Sequence, residues 1–155
     1  MNRDALFLAI DVGTGSVRAA LVDTAGKILK LVGHEHDQIV PQHGWAEQRP
    51  ADWWAGTIEV VRKALSDDPR VVRRIEAVCA CGQMHGTVLI DADGELTRET
   101  APLWNDKRTM PQVAAFKKAH PNFDYLAATA NPPTPAWPAF KMQWLKANDP
   151  DAYRR

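Results

Sequence analysis

The run Phe7-Leu8-Ala9-Ile10-Asp11-Val12-Gly13-Thr14-Gly15-Ser16-Val17-Arg18 constrains this chain more than any other stretch. Residues 6–10 form an apolar run of strand length and residues 17–22 another, β-branched and apolar, so residues 13–16 must reverse the chain between them. Gly13 and Gly15 carry no Cβ and are free to take positive φ, which lets backbone N–H groups of the turn come close to an anion. Thr14 and Ser16 add hydroxyl donors, and Asp11 sets a carboxylate at the mouth of the turn. This is phosphate-handling chemistry. The residues after the turn exclude a dinucleotide fingerprint, because Arg18 stands where a third small residue is required and the chain continues as a strand, not a helix. No Gly-Lys-Ser/Thr run is present to make a Walker loop. Beyond Asp23-Thr24-Ala25-Gly26, a strand-like run over 28–32 completes a three-strand meander.

Further along, Pro50 opens a helix expected over 51–66, with Asp52 near its N-terminus and Trp54, Ile58, Val61 and Leu65 at helical spacing as its core face. A strand over 75–80 ends at Gly82-Gln83-Met84-His85-Gly86, and a hairpin over 87–96 turns at Asp91-Ala92-Asp93-Gly94. A second helix is expected over 106–119, capped by Asn105 or Asp106, with Pro111 in its first turns. The proline-dense residues 131–138 cannot be helical and lead into 140–146, where Phe140, Trp144 and Leu145 form a core-facing stripe. These elements describe a single α/β domain without a linker. Cys79 and Cys81 lie two apart on one face of a strand and read as buried small apolar residues, not as a metal or redox pair. His34, His36 and His43 read as solvated loop histidines.

Lysine plus arginine and aspartate plus glutamate both number 19, so the chain carries no basic footprint for nucleic acid or an anionic membrane. Its apolar runs are of strand length, too short to span a bilayer, and Asp4 interrupts the N-terminus as a secretory signal would not. A cytoplasmic location is the expectation.

The first hairpin resembles the first phosphate motif of the sugar kinase, Hsp70 and actin superfamily. With it come Trp45-Ala46-Glu47-Gln48, Pro50, Trp53-Trp54, Gly82-Gln83-Met84-His85-Gly86, and Leu103-Trp104-Asn105-Asp106 with Arg108. In this order and spacing they resemble the landmarks of the FGGY carbohydrate kinases across nearly the whole chain, and Gln83-Met84-His85-Gly86 is similar to the run of xylulokinases. The resemblance implies an RNase H-like fold of the actin-like ATPase superfamily: a mixed sheet with three leading antiparallel strands and flanking helices. It implies ATP and Mg²⁺ as cofactors, a small-molecule sugar as substrate and a ketose, most simply a pentulose such as D-xylulose, as acceptor; other ketoses and polyols, and homodimerisation, stay open. Glycerol kinases carry an Arg-Glu pair at the positions of Met84 and His85, which favours a ketose over glycerol.

By the same resemblance, Asp11 orients Mg²⁺ through water, Gly13, Thr14, Gly15 and Ser16 hold the transferring phosphate, and Arg18 adds positive charge beside it. Gln83, Met84 and His85, with Trp104, Asn105 and Asp106, line the sugar cleft. From the residues alone, His85 and Met84 read more readily as packing, Arg18 reads as a surface strand residue, and Asn105 or Asp106 as a helix cap. The family's catalytic aspartate and adenosine-binding motifs would lie beyond Arg155, so residues 1–155 are expected to be the first part of an N-terminal domain, inactive alone. A non-catalytic actin-like sugar-binding or assembly module is the alternative.

Overall fold

A computed structural model describes residues 4–155. In chain order the elements are β1 (Leu6–Val12), β2 (Ser16–Asp23), β3 (Ile28–Glu35), β4 (Glu47–Gln48), α1 (Pro50–Leu65), β5 (Ile75–Gly82), β6 (Ala101–Pro102), α2 (Met110–Ala119), α3 (Tyr125–Thr129), α4 (Pro138–Asn148) and α5 (Pro150–Arg154). They gather into two compact units. The first holds the described residues through Gln38 and Ala51–Gln83; the second holds Ile39–Pro50 and Met84–Arg155.

The first unit is a four-stranded mixed sheet in the order β3-β2-β1-β5. β1 pairs antiparallel with β2 and β2 with β3, whereas β5 runs parallel to β1. The three leading antiparallel strands are those expected from the meander. Asp23 fixes the β2–β3 turn: its carboxylate accepts from the N–H groups of Ala25 and Lys27 at 2.9 Å, and Gly26 takes φ 82°, where a side chain would be strained. One sheet face buries Leu8, Val17, Ala19 and Leu21 against Val60 and Ala64 of α1.

That contact corrects the expected helix face. Gly56, Val60 and Ala64, at i, i+4 and i+8, are the buried residues of α1, while Trp54 is 67% exposed and Val61 and Leu65 pack at the margin. The reason is steric. A Cβ added to Gly56 would sit 3.1 Å from the His34 ring and 3.3 Å from a Val17 methyl, so the helix meets the sheet through its small residues. His34 also pairs through Nδ1 with Glu59 at 2.9 Å, which makes it a packing and pairing residue of β3, not a solvated loop histidine. The cysteines are a second correction. Both are exposed, because β5 is the edge strand of the sheet and its residues 76–82 have nothing packed over them among the described residues.

The second unit pairs β4 with β6 and packs α2, α4 and α5 around Leu103, Val113, Phe140, Leu145 and Ala152. Phe140 and Leu145 are buried as the stripe required, and Trp144 meets Trp45 edge-on at 5.2 Å. α2 begins later than expected. Asp106 accepts from the Arg108 N–H in a tight turn instead of capping the helix, and Pro111 enters only in the first turn after Thr109. The expected hairpin over 87–96 reduces to a single bridge, Ile90 to Leu96, around an Asp91 turn with Gly94 at φ 83°.

Candidate functional site

The candidate residues fall into two groups, one in each unit. In the first unit, β1 delivers Asp11 and β2 delivers Ser16 and Arg18 on either side of the turn. The turn closes with the Gly13 N–H donating to the Ser16 carbonyl at 3.0 Å. Neither Gly13 nor Gly15 adopts positive φ, contrary to expectation. Gly13 is required for a different reason, since a Cβ there would lie 3.1 Å from the Ser16 carbonyl oxygen; a Cβ on Gly15 would meet nothing within 4 Å, so the tip of the turn is open to an approaching group.

Two side chains anchor this turn from behind. His36 places Nε2 3.0 Å from the Gly13 carbonyl and its backbone N–H donates to the Gly15 carbonyl at 3.2 Å, while the Gln83 amide donates to the same Gly13 carbonyl at 3.3 Å. The sequence suggests a solvated His36; in the structure His36 and Gln83 both brace the Gly13–Ser16 turn. The signal for His36 is its place at the end of β3, beside the β1–β2 turn in the meander.

Asp11 and Arg18 are cross-strand partners on the sheet face opposite α1. With Ala9, Ala20, Leu31, Cys79 and Cys81 they line a cavity of about 210 Å³. The Cys81 thiol lies 3.4 Å from Asp11 Oδ1, and the hydrogen bond to that carboxylate, with its negative charge, pushes the thiol pKa above its usual range. No group of three or more His, Cys, Asp or Glu side chains gathers among the described residues. A lone carboxylate beside hydroxyls and open backbone suits a hydrated Mg²⁺, which keeps most of its waters and takes few protein ligands.

In the second unit, Met84 and His85 lie in the loop after β5, and His85 adopts φ 57°, a left-handed conformation that a residue with a side chain enters only under constraint. With Thr129, Asn131, Thr134 and Trp137 they line a cavity of about 680 Å³ that has hydroxyl, amide and imidazole groups, apolar surface and no carboxylate or cation. Trp104, Asn105 and Asp106 line a neighbouring cavity of about 420 Å³, and Thr134 belongs to both. Trp104 is 43% exposed, as a wall residue must be.

Asp106 faces inward. Its carboxylate accepts from the Ala46 N–H at 2.7 Å, from the Arg108 N–H and Nε at 2.9 Å, and from Arg108 Nη2 at 2.7 Å. Arg108 Nη2 also meets Glu47 Oε1 at 2.6 Å, and its guanidinium lies 3.8 Å from the Trp45 ring centroid and 4.8 Å from that of Trp144. Asp106 thus shapes the loop that presents Trp104 and Asn105. Sequence reasoning also misses Lys141, fully buried on α4 with Nζ 2.6 Å from the carbonyls of both His85 and Leu103. Its signal is its spacing, one residue after Phe140 and four before Leu145 in the apolar stripe.

These observations agree with comparisons against known proteins. Over 148 residues the chain is 32% identical to the xylulose kinase of Bacillus subtilis, covering 96% of this chain and 29% of that protein. It is 34% identical to the glycerol kinase of Chelativorans sp. over 148 residues, covering 96% of this chain and 30% of that protein. Among solved structures, a "xyloylose kinase" from Brucella ovis matches with TM-score 0.87 and 31% identity over 97% of this chain and 31% of that one. The xylulose kinase from Rhodospirillum rubrum matches with TM-score 0.89 and 25% identity over 96% of this chain and 30% of that one. The chain therefore spans about three-tenths of the length of these relatives, and its mixed sheet has the fold of the actin-like ATPase superfamily. Residues 6–155 match the N-terminal domain of the FGGY family of carbohydrate kinases, and the chain belongs to that family.

Proposed function

We propose that this chain is the N-terminal part of an ATP-dependent kinase that phosphorylates a pentulose such as D-xylulose, contributing the first phosphate-binding turn and part of the sugar cleft. The observation that supports the choice of sugar is that Met84 and His85, at positions where glycerol kinases carry an Arg-Glu pair, line the cavity. Together with Thr129, Asn131 and Thr134 they offer donors and acceptors of moderate strength set in apolar surface, which suits an uncharged, polyhydroxylated substrate. Its relatives include both xylulose and glycerol kinases at similar identity, so the preference for a pentulose rests on Met84 and His85.

Phosphoryl transfer depends on positioning and charge neutralisation. Bound Mg²⁺ supplies Lewis acidity toward the phosphate oxygens. Asp11 orients the hydrated metal, and Thr14, Gly15 and Ser16 present donors to the phosphate. Arg18 contributes positive charge on the Asp11 face of the sheet, and His36 and Gln83 engage the Gly13 carbonyl and so hold the shape of the turn. In the sugar cleft, His85 bonds a hydroxyl while Met84 and Trp104 cover the carbon skeleton and Asn105 lines the rim.

The test is a sugar-dependent phosphorylation assay on the gene product carrying this chain, with His85→Ala beside the wild type. The variant is expected to lose about 1–3 kcal/mol of kcat/KM for D-xylulose, the worth of one or two buried hydrogen bonds, with the KM for ATP unchanged. An unchanged kcat/KM on every pentulose tried would return His85 to a packing role.

A further inference from the structure

We propose that Lys141 is a positioning residue of the candidate sugar site: its side-chain nitrogen clamps the carbonyls of His85 and Leu103, fixing the directions in which His85 and Trp104 leave the backbone. The inference deepens the pentulose-kinase reading and rests on it for the identity of the substrate.

Lys141 has no exposed surface, an unusual position for a residue that normally keeps its charge in water. Its Nζ donates to the His85 carbonyl at 2.6 Å, to the Leu103 carbonyl at 2.6 Å and to the Pro102 carbonyl at 3.4 Å. Three acceptors match the three hydrogens of an ammonium. They come from the loop after β5 and from the end of β6 and the residue after it, and each short bond falls on or next to a residue of the candidate site. His85 is held at φ 57°, and a non-glycine residue persists there only when its surroundings dictate it; the Lys141 bond to its carbonyl is such a constraint. An apolar residue at position 141 would suit the stripe of Phe140 and Leu145 better, so the amine is explained by the carbonyls it joins.

The clamp responds to pH. Burial lowers the Lys141 ammonium from 10.5 to about 8; the Asp106 carboxylate opposes that shift and the Arg108 guanidinium adds to it. As pH rises through about 8 the ammonium loses its proton. The neutral amine then offers two hydrogens to three carbonyls and turns a lone pair toward one of them.

The experiment uses the gene product carrying this chain, with Lys141→Met, which keeps the stem, and Lys141→Arg, which keeps the charge. K141M is expected to raise the KM for D-xylulose about tenfold or more while the KM for ATP stays within about twofold, and K141R to recover part of the loss. The wild-type sugar KM is expected to climb above pH 8, a limb that K141M lacks. The backbone amide resonance of His85 is expected to titrate with the same midpoint in the wild type and not in K141M. Should K141M not fold, the wild-type pH profile and K141R carry the same test. Equal changes in both KM values, or a pH limb that survives in K141M, would overturn the clamp. A wild type that phosphorylates no ketose while its His85 resonance follows Lys141 overturns the kinase reading and leaves the clamp standing; a His85 resonance indifferent to Lys141 overturns the clamp at any level of activity.

Discussion

Replacing Asp11 by asparagine in the gene product carrying this chain is expected to cut turnover about a hundredfold or more while changing folding stability by less than about 0.5 kcal/mol. The asymmetry follows from geometry. Asp11 sits half-buried near the C-terminal end of β1, and its contact with the Cys81 thiol at 3.4 Å is one an amide oxygen accepts as well as a carboxylate does. In the proposed kinase asparagine would remove the charge that Asp11 is proposed to turn toward a hydrated Mg²⁺ beside the Gly13–Ser16 turn, and phosphoryl transfer depends on such charge neutralisation as well as on positioning. Steady-state kinetics and a urea melt on the same preparation separate the two effects. A variant that loses turnover only in proportion to a loss of folded protein would make Asp11 a structural residue.

The largest stability effect is expected in the other unit. Asp106→Ala should destabilise the protein by about 3–5 kcal/mol, because it leaves the buried Arg108 guanidinium without its bidentate partner and the Ala46 N–H without an acceptor. Glu47 remains on Arg108 Nη2 at 2.6 Å but is itself shared with Arg98 and with the Thr100 hydroxyl, so it cannot replace Asp106. Asp106→Asn, which keeps an oxygen for one donor, should lose less. The shift in urea midpoint checks both, and an alanine variant within about 1 kcal/mol of the wild type would show that the network is worth little here.

The sheet is legible in the sequence because its signals are local. The apolar runs, the Asp23–Gly26 turn and the Gly13–Ser16 turn each dictate backbone conformation within a few residues, and the three antiparallel strands follow from them. Features that the sequence conceals depend on partners distant along the chain. The face of α1 is misread because hydrophobicity singles out Trp54, whereas close approach of helix to sheet selects Gly56, Val60 and Ala64. Cys79 and Cys81 are misread because their exposure depends on which strand ends the sheet, a property of topology.

In the candidate site the residue types are readable and their tasks only partly. Thr14, Ser16 and His85 announce hydrogen-bonding groups by type, and Met84 apolar surface. That Asp106 turns inward onto Arg108 is set by Ala46 and Trp45, some sixty residues away. That His36 braces Gly13, and that Lys141 joins two loops, arises only once the β-meander and α4 are in place.

The central claim, a sugar site built for a ketose, is tested most directly by comparing kcat/KM for D-xylulose, D-ribulose and glycerol on the gene product carrying this chain, with ATP and Mg²⁺ saturating. With Met84 and His85 where glycerol kinases carry an Arg-Glu pair, the proposed kinase is expected to prefer a pentulose to glycerol by about a hundredfold or more. A kcat/KM for glycerol equal to or above that of both pentuloses would contradict it.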